Sequence, residues 1–92
     1  MTKNHQEGLT DEQKGRIDWE MRKFQHGNIR EQDLVCNIAE IIYDSFKLNR
    51  AKIQDLEVAI ESSAMDPADV GPLVRLIKRR YKKIKKQKNT TR

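Results

Sequence analysis

Phe46-Lys47-Leu48-Asn49-Arg50 is the stretch whose reading decides the fold. It lies midway along the most regular part of the chain. There Val35, Ala39, Ile42, Phe46, Asn49, Ile53, Leu56, Ile60 and Ser63 recur with strict 4-3 spacing, and seven of the nine are apolar. That is the pattern of a coiled-coil seam. Leu34, Ile38 and Ile41 widen the apolar face in its first half, where the preceding helix or a partner can pack. Neither Gly nor Pro occurs between Asn28 and Met65.

Two readings follow. In the first, residues 29–65 form one helix, about 55 Å long at about 1.5 Å per residue. Such a rod needs a second chain to cover its stripe, and Asn49 at the seam would set register at some cost in stability. In the second, Lys47-Leu48-Asn49 is a tight connection and Asn49 caps a new helix from Arg50. The chain then folds as a compact four-helix bundle. The phase of the stripe runs through Asn49 unbroken, which favours the single helix, because a turn usually resets it. The expected class is all-α: a small helical bundle, or a long coiled-coil-like helix with flanking helices, as a dimer. Val35, Ile42, Phe46, Asn49, Ile53, Leu56 and Ile60 are the expected oligomerisation residues.

On the amino-terminal side, Thr10-Asp11-Glu12-Gln13 reads as a capping box. The helix it opens spans about 10–26 and closes at Gly27, suited to a left-handed C-terminal position. Its stripe is thin (Ile17, Met21, Phe24), with Trp19 to one side, and Gly15 inside it costs roughly 1 kcal/mol relative to Ala. Asn28-Ile29-Arg30-Glu31 reads as a second capping box. On the carboxy-terminal side, Asp66-Pro67-Ala68-Asp69 is a turn. Asp69 is expected to cap a helix over 69–88, with Pro72 in its first turn. Val70, Leu73, Val74, Ile77, Tyr81 and Ile84 share one face of that helix, and Arg75, Arg79, Lys82, Lys83 and Lys86 the other. The expected organisation is a disordered leader over 1–9, one helical domain over 10–88 and a disordered tail over 89–92.

With 92 residues, the chain holds one small domain or a few packed helices, too little for most multi-part enzymes. A single cysteine, Cys36, excludes an internal disulfide and suits a reducing compartment. No apolar run approaches membrane-spanning length, and Met1 to Gly8 lack the apolar core of a secretory signal. The expectation is a soluble cytoplasmic protein, nucleoid-associated if bacterial, with no membrane partner.

Charge is the main functional signal. The chain has 19 Lys+Arg, 14 Asp+Glu and a formal net charge of +5. Ten of the cations fall between Arg75 and Arg92, where there is no Asp or Glu, so the rest of the chain is net acidic. A dense basic helix neutralises phosphates and releases their counterions. The expected nucleic-acid contacts are Arg75, Lys78, Arg79, Arg80, Lys82, Lys83, Lys85 and Lys86. Lysine outnumbers arginine there, favouring backbone contact over bidentate base reading. DNA is preferred to RNA as the partner. A solvated helix face, an acidic protein and a membrane surface are the rival readings of the same residues; the last lacks a Trp or Phe anchor.

Chemistry is otherwise absent from the pattern. His5, His26 and Cys36 have no metal-ligand spacing, and no catalytic residues, metal or cofactor are expected. Cys36 reads as a small hydrophobe. Glu40, Asp44, Asp55 and Glu61 read as solubility and pairing charges. A helix-turn-helix around Asn49 would present Asp55, Glu57 and Glu61 to a groove, which is too acidic. In outline, a long coiled helix, a short turn at 66–69 and a basic helix resembles small bacterial nucleoid-associated proteins and some phage-encoded DNA-binding proteins. The resemblance implies an architectural or regulatory role rather than an enzyme. A second class of function is an adaptor or inhibitor docking on a protein target, with Trp19 as the contact anchor.

Overall fold

The computed structural model describes residues 8–43, 48–63 and 65–90, with only the backbone of Asn89 and Thr90. It has four helices: α1 (Asp11–Gln25), α2 (Glu31–Ile42), α3 (Arg50–Ser62) and α4 (Pro67–Thr90). No strand occurs among the described residues. The packed pairs close a ring, with α1 against α2 and α3, and α4 against the same two.

The 29–65 stretch is therefore two helices, and the single-helix reading is corrected. Tyr43 is extended at φ −69°, ψ 132° and ends α2. Asn49 is extended at φ −96°, ψ 172°, and its Oδ1 accepts from the Lys52 amide at 2.8 Å. Asn49 is thus the N-cap of α3, as the bundle reading requires. Seven positions of the sequence, one heptad, lie between the last residue of α2 and the first of α3. That separation keeps the 4-3 spacing in phase, so the stripe carries no trace of the boundary. The molecule's longest extent is 36 Å, and its radius of gyration of 13.1 Å is near the roughly 12 Å of a compact chain this long.

Four of the seven expected oligomerisation residues are buried within one chain. Val35, Ile42, Leu56 and Ile60 are buried in the core beside Leu34, Ile38 and Ala39. Ile53 is half-buried against that core, Asn49 caps α3, and Phe46 lies outside the described residues. Two antiparallel stripes facing a common core carry the same spacing as one stripe facing a second chain. Replacing Asn49 by Ala separates the two arrangements. As an N-cap its loss is expected to cost about 1 kcal/mol; inside one long helix the same change would stabilise, by propensity. Urea unfolding of the variant gives the sign.

α1 begins as the sequence predicts. Thr10 Oγ1 accepts from the Gln13 amide at 3.1 Å, and Gln13 Oε1 accepts from the Thr10 amide at 2.9 Å. Gln13 Nε2 also donates to the Ile41 carbonyl at 3.1 Å, tying the start of α1 to the end of α2. The end of α1 explains why the second capping box fails. Gly27 has φ +80°, its amide donates to the Phe24 carbonyl, and the Asn28 amide donates to the Lys23 carbonyl. This is a Schellman motif. Asn28 is used to close α1, so α2 starts later, at Glu31, and its N-cap Arg30 makes no side-chain cap.

Two further boundaries are corrected. Asp66, not Asp69, caps α4: its Oδ1 accepts from the Ala68 amide at 3.0 Å. Pro67 is then the first helical residue, which suits its fixed φ and missing donor. Asp69 falls in the first turn and Pro72 inside the helix. At the two ends, part of what was expected to be disordered is ordered. Leu9 is buried, and its amide donates to Asp55 Oδ2 at 2.9 Å. Gly8 lies so close to the Asp55 carboxylate that a Cβ there would collide with it. α4 extends through Thr90, beyond the expected end at 88. Residues 1–7 and 91–92 lie outside the described residues.

Candidate nucleic-acid interface

Six apolar side chains of α4 decide which way its cations point. Val70, Leu73, Val74, Ile77, Tyr81 and Ile84 are all buried, as the periodicity predicts. With this face fixed inward, the cations take the remaining arc. At about 100° per residue they spread over about 220° of the helix circumference, from Lys85 on the α3 side to Arg80 on the α2 side. Arg75, Lys78, Arg79, Lys82, Lys83 and Lys86 are exposed, while Arg80 and Lys85 are half-buried at the two flanks.

Among the described residues, seven of these cations have no ion pair with a carboxylate. Ion pairs at Glu12–Arg16, Asp18–Arg22 and Glu20–Lys23 lie within α1. None joins Arg75, Lys78, Arg79, Arg80, Lys82, Lys83 or Lys85 to an acid. Arg80 Nε is buried without a hydrogen-bond partner. Lys88, at the far end, sits over the Tyr43 ring at 5.6 Å. That ring is itself tilted against Tyr81, with centroids 5.4 Å apart. Burial, and next to it the neighbouring Tyr43, push the Tyr81 phenol above its ordinary pKa.

Two clefts flank α4. On the α2 side, a cleft of about 310 Å³ has Val35, Cys36 and Leu76 within it and Arg79, Arg80 and Lys83 along one wall. Glu31 and Gln32 face them. Cys36, expected as a buried hydrophobe, is half-buried there. On the α3 side, a cleft of about 550 Å³ is formed by Leu48, Ile53 and Tyr81 together with Lys78, Lys82, Lys85 and Lys86. The sequence reading missed both clefts. Leu48 and Ile53 are about thirty residues from the lysines they meet, and no local spacing links them.

The remaining candidates fall elsewhere. Trp19 is 60% exposed on α1, with Lys23 Nζ 5.8 Å from its ring centroid. Asp55 holds the Leu9 amide, and Glu57 is half-buried on α3. His26 is the exposed C-cap of α1, and His5 lies outside the described residues. Lys52, which the sequence did not single out, is 3% exposed, and burial pulls its amine below the usual lysine pKa. Among the described residues no group of three or more His, Cys, Asp or Glu could hold a metal ion. No helix among them is long and apolar enough to cross a membrane.

No protein-family profile, curated protein or solved structure matches this chain. The outline resemblance to nucleoid-associated and phage DNA-binding proteins rested on a long coiled helix, and α2 and α3 are separate.

Proposed function

We propose that the chain binds nucleic acid, DNA in preference to RNA, through the exposed arc of α4, in an architectural or regulatory role without catalysis. The observation that carries this reading is the set of seven α4 cations with no carboxylate partner among the described residues, while the other face of the same helix is locked into the core. Docking of its apolar face fixes the backbone that carries these side chains, and the contacts are with nucleic-acid backbone rather than base edges. Val35, Ile42, Leu56 and Ile60 of the expected seam are buried in the chain's own core, so the reading is put for a single copy.

Eight cations that each neutralise one phosphate give a slope of log affinity against log salt of about −7. Affinity for a 20-base-pair duplex is then expected to fall by about 10⁴ between 50 and 200 mM salt. Mobility-shift titrations at the two salt concentrations measure it. Absence of any shift at 50 mM with the duplex and with a single strand alike ends the reading.

A second reading is supported by Trp19. A large aromatic ring in water beside Lys23 is the kind of anchor that fills a pocket on a protein partner. Under that reading the chain is an adaptor or inhibitor. Trp19→Ala then removes its activity, and charge reversal on α4 does not.

A further inference from the structure

The wider cleft beside α4 differs from a plain cationic surface in one respect: it has an apolar floor. Ile53 and Leu48 are half-buried there, and the nearly inaccessible Tyr81 ring lies beneath them. Lys78, Lys82 and Lys85 stand along one side of this floor at successive turns of α4, and Lys86 continues the line. From Lys78 to Lys86 the line is about 12 Å long at 1.5 Å per residue. That matches three to four phosphates of one stacked strand at about 3.4 Å each.

A duplex uses only half of this arrangement. Its exterior offers phosphates to the lysines, but its bases are paired and stacked inside, and the apolar floor stays in water. An unpaired strand offers both parts: phosphates for the lysines, and a flat base face for Leu48, Ile53 and the lysine stems. The volume, about 550 Å³, is in the range of clefts that enclose a small organic group. Resting on the nucleic-acid reading above, we propose that this cleft seats an unpaired base and that the chain prefers single-stranded nucleic acid to duplex. The described lining has no Asn, Gln, Asp, Glu or Arg to read base edges. Apart from the lysines, which are engaged with phosphates in this arrangement, the described lining therefore selects no particular base.

The test compares three ligands on the intact protein by fluorescence anisotropy at 50 mM salt: a 20-nucleotide single strand, an abasic strand of the same length, and the 20-base-pair duplex. The base-bearing strand is expected to bind about tenfold tighter than the other two, the low end for seating one base on a largely aliphatic floor. Ile53→Gln, which puts an amide on the floor and keeps a good helix former, is expected to erase most of that advantage and leave duplex binding unchanged. The abasic comparison needs no variant, so it decides the matter even if Ile53→Gln folds poorly. Equal affinity for all three ligands, or a preference for duplex, overturns the base-seating cleft while the phosphate-binding helix stands. Failure of all three to bind removes both.

Discussion

Replacing Arg75, Arg79, Lys82 and Lys83 together by Glu is expected to abolish duplex binding, with affinity at 50 mM salt down by at least about 100-fold. Each substitution removes one phosphate contact and puts a like charge in its place. Losing four of eight contacts alone lowers the salt slope from about −7 to about −4, and the introduced repulsion lowers affinity further. All four side chains are exposed and none is in an ion pair with an acid among the described residues. The helical circular-dichroism spectrum is therefore expected to be retained. A folded variant that binds as the parent does would remove α4 from the interface. The same variant separates the two readings of function, because a Trp19-anchored protein contact on α1 would survive it.

The second large effect is on stability. Ile77 is fully buried at the middle of the inward face of α4. Ile77→Ala is expected to cost about 2–5 kcal/mol, the lost transfer energy plus the cavity left behind. In a domain of this size each kcal/mol lowers Tm by about 4–8 °C, so a fall of at least about 8 °C follows. Thermal unfolding followed at 222 nm measures it. A shift of only a degree or two would mean that α4 is not part of the core. Arg75→Ala, two residues away on the exposed arc, is the control and is expected to stay within about 0.5 kcal/mol of the parent.

The two faces of α4 and the cap of α1 were legible in the sequence because each is a local pattern. Val70 to Ile84 recur at helical spacing, and Thr10 and Gln13 satisfy each other within one turn. What escaped the sequence was whatever depends on competition between neighbouring signals or on distance along the chain. Asn28 is a good cap residue, but the Schellman motif at Gly27 takes its amide first. Asp66 and Asp69 both suit a cap, and Pro67 decides for Asp66 because it is best placed as the first helical residue. The α2–α3 boundary hides because the separation of the two helices in sequence equals the repeat it interrupts. For the same reason the residues read as a seam between chains, Val35, Ile42, Leu56 and Ile60, turn out to line the chain's own interior. Trp19 stood off the thin α1 stripe in the sequence and is exposed in the fold. The α3-side cleft had no sequence signature, since Ile53 meets the lysines only once α3 lies along α4.

The spacing of the α4 cations has an energetic consequence for the unliganded molecule. Arg75 and Arg79, Lys78 and Lys82, Arg79 and Lys83, and Lys82 and Lys86 are like-charged neighbours one turn apart. Each such pair opposes the helix by about 0.2–0.5 kcal/mol. Left to itself this segment would be a poor helix; docking of its apolar side keeps it wound. An anion laid across those turns relaxes the mutual repulsion, so occupancy and rigidity of the carboxy-terminal helix rise together.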